Sequence, residues 1–191
     1  MKTSARYARV SSWSDHTSSV PMGLFTGREV LNPRPPSRTL MDAVRDNDLD
    51  LIDKTLHAGE DVTQTNAYGR TVLHKAAYYS GEPRVIESLI KRGADVNARD
   101  RGHWTATHLA ARNHHNDAMK LLLDAGAETH WRDLKHGWTA LHLAVIAGNV
   151  VGARMLVKAG ADVALLDRSG ADVRTLLEEN DIDPTSVLGE K

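Results

Sequence analysis

The sequence predicts an all-α solenoid, a row of stacked helix–turn–helix units joined by hairpin-like fingers and preceded by an extended N-terminal arm. Three observations predict it. Residues 102–110 read GHWTATHLA and residues 136–144 read HGWTALHLA, nearly the same phrase 34 residues apart. A glycine recurs at Gly59, Gly93, Gly126 and Gly160, at spacings of 34, 33 and 34. The composition also changes near residue 38, from proline- and serine-rich to helical in its apolar periodicity. A fixed period in this range marks units that cannot bury a face alone and must stack to do so.

The arm, residues 1–37, comes first. Residues 1–38 hold four of the six prolines, seven serines and the single phenylalanine, Phe25. They carry six basic and two acidic side chains, net +4, which leaves net −5 for the rest of a chain of net charge −1. Such a segment buries too little apolar surface to order itself. Three readings stay open. It is a flexible tail, or an assembly anchor held through Trp13, Leu24 and Phe25. Alternatively it is a targeting segment, since the basic, acid-free stretch from Met1 to Trp13 resembles a mitochondrial transit peptide.

Repeat units follow at about 38–70, 71–104, 105–138 and 139–171. The aligned threonines Thr71, Thr105 and Thr139 open TVLHKAA, TATHLAA and TALHLAV. Each threonine is placed to cap a short helix whose small apolar face includes Leu73, Ala76 and Ala77 in the first of these. A second helix follows, with Val85, Ile86, Leu89 and Ile90 at helical spacing and Pro83 in its first turn. The recurring glycine sits just past that helix, where a left-handed residue closes it; Gly126 is expected at positive φ. The first unit is charged where the inner ones are apolar, as a capping unit should be. A half-unit cap, 172–181, and a tail, 182–191, close the chain. Three departures stand out. Thr107 replaces the leucine of the motif, Gly152 interrupts an outer helix at a cost of about 1 kcal/mol, and the finger before Trp138 holds one extra residue.

The T-x-L-H-x-A-A phrase and the RGADVN and AGADV turns, repeated in register, resemble the ankyrin-repeat family over roughly Ser37 to Asn180. The resemblance implies an ankyrin-repeat solenoid with β-turn/hairpin fingers. It implies a structural role for His74, His108 and His142, bonding within and between units. It also implies that partners bind on the finger tips and the exposed face of the inner helices, the concave side. Those slots hold Tyr68, Arg70, Tyr78, Tyr79, Arg101 and His103. They continue with Trp104, Arg112, Asn113, Lys135, His136, Trp138 and Ile146. Trp, Tyr and Arg are the types enriched at binding hot spots. Against that, Trp104 and Trp138 are equally expected to pack between successive turns.

Chemistry is otherwise sparse. With no cysteine, disulfides, thiol catalysis and thiolate zinc sites are excluded. The ten histidines suggest no metal site, because adjacent His114 and His115 cannot both aim at one ion from a helix. No nucleophile elbow, phosphate loop or paired-carboxylate pattern occurs. The expected protein is not an enzyme and needs no cofactor. No apolar run approaches the roughly 18 residues that span a bilayer. The function expected is a non-catalytic scaffold or adaptor, cytoplasmic, in a hetero-complex, binding a protein segment made acidic by the match to Arg70, Arg101, Arg112 and Lys135. Nucleic acid is disfavoured by the acidic body. Two alternatives remain: a structural subunit of a cytoskeletal, ciliary or organellar assembly, and a regulatory module of an enzyme.

Overall fold

The computed structural model describes residues 39–189; the arm, with Trp13, Leu24 and Phe25, lies outside the described residues. Among the described residues ten helices form two layers. The inner layer is α1 (Leu40–Arg45), α3 (Val72–Tyr79), α5 (Ala106–Arg112), α7 (Ala140–Ile146) and α9 (Val173–Glu179). The outer layer is α2 (Leu49–His57), α4 (Pro83–Lys91), α6 (Asn116–Asp124), α8 (Val150–Lys158) and α10 (Pro184–Leu188). Each inner helix packs on the next inner helix and on its own outer partner. Paired alanines make this possible: Ala76, Ala77, Ala110, Ala111 and Ala144 are fully buried, so inner helices approach closely. Leu73, Ile86, Leu89, Leu109, Met119, Leu122, Leu141 and Leu156 fill the space between the layers.

Helix starts are set by sequence. Thr71, Thr105 and Thr139 each accept the backbone N–H three residues on, and the histidine at that position returns a bond to the threonine N–H. This reciprocal cap satisfies two donors that a helix start otherwise leaves orphaned. Helix ends use the left-handed residue expected; Gly126 has φ 89°. Gly152, read as a defect, makes room instead: a Cβ there would lie 2.4 Å from Asn149 Nδ2. Asn149 is buried, caps α8 through Oδ1, and donates from Nδ2 to Ala111 O and Asn116 Oδ1, at 2.9 Å each.

The closing unit differs from the expectation of a half-unit and tail. Pro184 opens α10, capped by Asp183, and the helix packs on α8 and α9. Arg154 of α8 donates to Ser186 O from Nε at 2.9 Å and from Nη2 at 2.6 Å. Pro184 reads as a helix breaker only if the helix is already running; here it is at the first turn, where its missing N–H costs nothing. The fingers are hairpin turns without named strands among the described residues. Each is closed by a pair of backbone bonds, in finger two Asp100 N–H to Trp104 O and His103 N–H to Asp100 O, both at 2.9 Å. No described helix is long and apolar enough to cross a membrane.

Thr107 sits fully in the core with its hydroxyl oxygen unpartnered. A buried unsatisfied polar group costs about 1–3 kcal/mol. Thr107→Val removes it without changing shape, and should raise the denaturant midpoint by an amount worth about 1 kcal/mol at unchanged m-value. A lowered midpoint would mean that the hydroxyl has a partner.

Burial lowers the His108 pKa to about 4, and burial likewise lowers His74 and His142. An exposed imidazole titrates near 6.5, so the unfolded chain binds more protons than the folded one below that pH. Stability contributed by these rings is complete above about pH 6.5 and lost as the pH falls toward about 4. Urea midpoints measured across that window should fall steadily; a flat profile would contradict neutral, buried rings.

Candidate functional site

The finger face is built on the three histidines. In His74 the Nδ1 atom accepts the Thr71 N–H at 3.2 Å, so the network assigns the proton to Nε2, which donates to Trp104 O at 2.9 Å. His108 repeats this with Thr105 and Trp138 O, at 3.2 and 3.3 Å. His142 reaches Leu165 O at 3.0 Å. Each ring therefore ties one inner helix to the next finger, and the carbonyls of both candidate tryptophans are fixed by the preceding unit.

In fingers two to four a buried aspartate closes the turn, where the first finger uses Asn66. Asp100 Oδ1 accepts the Gly102 and Trp104 N–H groups at 2.8 and 2.9 Å, and its Oδ2 takes Arg70 Nε of the previous finger at 3.1 Å. Asp167 does the same: Oδ1 serves the Ser169 and Ala171 N–H groups, and Oδ2 accepts Trp138 Nε1 at 3.0 Å. Asp133 stands between them and differs. Its finger holds the extra residue, and both oxygens are taken by the turn itself. Oδ1 accepts Trp138 N–H at 2.7 Å, and Oδ2 accepts the Lys135 and His136 N–H groups at 3.1 Å each. No oxygen of Asp133 reaches back to finger two, where Trp104 occupies the slot that Arg70 and Trp138 hold in theirs.

The two tryptophans consequently separate. Trp138 is 3% exposed, stacked on His136 with ring centroids 3.8 Å apart. Trp104 is half-buried. Its ring lies on its own finger, where a Cβ at residue 102 would stand 3.2 Å from Trp104 Cδ1, a crowding that glycine avoids. The swapped pair now has a cause. Gly102 is spent on the indole, so His103 takes the left-handed position at φ 62°, which Gly69, Gly137 and Gly170 fill in the other fingers. A side chain there costs about 1 kcal/mol or more. Arg112 lies over the Trp104 ring at 5.8 Å and His108 is tilted against it at 6.0 Å.

Two expected surface residues are therefore corrected. Arg70 is buried in its ion pair with Asp100, and Trp138 is buried by finger four; both couple fingers and neither faces outward. The others stay accessible. Tyr68 is 52% exposed, Arg101 and Lys135 are exposed, and Tyr78, Tyr79, His103, Trp104, Arg112 and His136 are half-buried. Tyr78 and Tyr79 meet edge to face at 5.1 Å, and Asn113 Nδ2 donates to Tyr78 O at 2.7 Å. Three participants went unread in the sequence. Lys75 stands 5.0 Å from the Tyr79 ring centre, Trp131 lies under the Arg99 guanidinium at 4.2 Å, and the aspartates hold the turns. The Asp recurring four or five residues before the last residue of fingers two to four was the available signal for the aspartates. Among the described residues no group of three His, Asp or Glu side chains is placed to hold a metal ion.

The family model described as ankyrin repeats (3 copies) matches residues 40–133 and 79–167. The chain belongs to the ankyrin-repeat family. It is similar to inversin of Canis lupus familiaris, 34% identical over 133 residues, 69% of this chain and 12% of that protein. It is similar to the ankyrin repeat domain-containing protein SAT10 of Stachybotrys chartarum, 32% identical over 126 residues, 66% of this chain and 6% of that one. It is also similar to the glycerophosphocholine phosphodiesterase gde1 of Schizosaccharomyces pombe, 30% identical over 165 residues, 86% of this chain and 13% of that one. The chain thus spans between 6% and 13% of the length of these relatives.

The tryptophans should respond oppositely to loss of the indole N–H. Trp138→Phe breaks a buried bond to a carboxylate and should cost about 2 kcal/mol in a urea melt. Trp104→Phe should stay within about 0.5 kcal/mol, the range for a surface change. Equal losses would mean that finger three does engage Trp104.

Proposed function

We propose that the chain is a non-catalytic protein-binding module that holds a partner protein in a hetero-complex, gripping it with the finger tips and inner-helix face of its first to third units. The observation that carries this is the accessible aromatic and basic row formed by Tyr68, Tyr78, Tyr79, Arg101, Trp104 and Arg112. These residue types supply large contact area at small conformational cost and dominate measured hot spots. Most side chains of the same layer are buried and committed to stacking, so the exceptions stand out. Membership of the ankyrin-repeat family supports the same reading, as a fold whose units stack into an extended surface.

The lysines separate the two faces of the molecule. Lys75 and Lys135 belong to the inner helices and fingers, whereas Lys54, Lys91, Lys120 and Lys158 belong to outer helices. Cross-linking mass spectrometry on the full chain with its native partners should place most partner cross-links on Lys75 and Lys135. Trp104→Ala should weaken partner capture by about 2 kcal/mol or more, the hot-spot scale, with its melt within about 0.5 kcal/mol of the parent. Cross-links confined to the outer-helix lysines, with capture unaffected by Trp104→Ala, would sink the finger face as the binding surface.

A further inference from the structure

The charge of the finger-and-inner-helix layer is one-sided. Residues 64–81, 98–115 and 129–149 hold seven basic side chains and two acidic ones, in a chain whose net charge is −1. The two acids are Asp100 and Asp133, which are 6% and 3% exposed and hold the finger turns. Neither carboxylate in these three stretches is exposed. The first unit is the reverse: residues 39–62 carry seven acidic and two basic side chains.

Trp104 adds a directed donor to this field. Its counterpart in the next finger satisfies its indole N–H on a carboxylate, Asp167 Oδ2, at 3.0 Å. For Trp104 the equivalent carboxylate, Asp133 of finger three, is consumed by the inserted residue's turn. Trp104 is half-buried, its Nε1 donates to no carboxylate among the described residues, and the Arg112 guanidinium lies 5.8 Å from its ring centre. A carboxylate from outside restores the arrangement that the fold itself builds one finger further on.

We propose that Trp104 and Arg112 recognise an aspartate or glutamate side chain of an extended acidic segment of the partner, laid across fingers two and three between Arg101 and Lys135. This rests on the finger-face reading above and names the chemistry of its occupant. Charge complementarity across the strip fixes register and speeds encounter, and the indole and guanidinium donors give it a defined centre. A polyanion such as single-stranded nucleic acid offers phosphates to the same cations. The acidic first unit opposes it, since a continuous backbone charge cannot avoid that end as a short acidic segment can.

The test uses the full chain, nitrogen-15 labelled, observed at its four indole N–H signals. The probes are a dodecapeptide in which glutamates alternate with leucine and glycine, its Gln-for-Glu and Lys-for-Glu counterparts, and a thymidine dodecanucleotide. The glutamate peptide should shift the Trp104 signal saturably, leave Trp138 in place, and bind more weakly as salt rises. The glutamine and lysine peptides should not bind. Trp104→Phe and Arg112→Gln, each verified folded by its melt, should each weaken the glutamate peptide about tenfold. Equal binding of the glutamine peptide, equal or tighter binding of the oligonucleotide, or no Trp104 shift at millimolar peptide would each overturn the proposal. Glutamate-selective binding with Trp104 unmoved overturns the recognition pair and leaves the finger-face reading standing. That reading fails separately, on cross-links that avoid Lys75 and Lys135.

Discussion

The structure depends on one two-ended side chain, the neutral histidine at the third position of each inner helix. One nitrogen closes the cap of its own helix and the other holds the finger of the next unit. Because the ring is rigid and both ends are used, it fixes the distance between neighbouring units as well as the start of each helix. The alanine contacts between inner helices and the stacking of fingers follow from that spacing. At the ends of the array the position changes to Asp42 and Thr175. Asp42 accepts the Thr39 N–H and completes a capping box, but an ionised carboxylate cannot donate onward. The first unit is instead joined by apolar contact of α1 with α3, and is tied internally by Leu40 N–H to Glu60 Oε2 at 2.9 Å.

Fingers are tied a second time, through buried aspartates, and here a small change in length has a local but decisive effect. A carboxylate has two oxygens. In fingers two and four one oxygen serves the turn and the other serves the preceding finger. One more residue in finger three adds a turn N–H that must be satisfied, and the second oxygen goes to it. The backbone link between the tips survives, with Leu134 N–H on Gly102 O at 2.9 Å. The array therefore stays in register while one side chain, Trp104, loses its internal partner. In a solenoid, where units touch only their neighbours, such a change does not propagate.

Much of this was legible in the sequence because the signals are periodic. Thr71, Thr105 and Thr139 with their histidines, the closing glycines and the paired alanines all recur in register, and each has a local physical cause. What was not legible depends on counting bonds between units. GHWTATHLA and HGWTALHLA differ so little that both tryptophans read alike, yet one is buried by Asp167 in the next finger and the other is denied Asp133 in the next finger. Arg70 looked like a surface cation because its partner, Asp100, lies 30 residues on. The closing helix at Pro184 was hidden because proline marks a helix start and a helix stop with equal force, and only packing on α8 decides between them.

Stability and recognition are thereby carried by different residues of the same layer. Buried charges cost desolvation unless they are paired or fully hydrogen-bonded; Arg70 and Asp100 are paired with each other, Asp133 and Asp167 are held by N–H donors of the fingers, and none of the four contributes an exposed charge. Removing the aspartates from view is what leaves the fingers positive. The turns need carboxylates to close, and their burial means that the exposed charges of fingers two and three beside these turns are basic, among them Arg99, Arg101, Arg132 and Lys135. The range of that field is short, about 8 Å at physiological salt, so it acts on a segment already at the fingers. It therefore governs register and encounter more than affinity, which leaves affinity to the aromatic contacts at Trp104, Tyr78 and Tyr79.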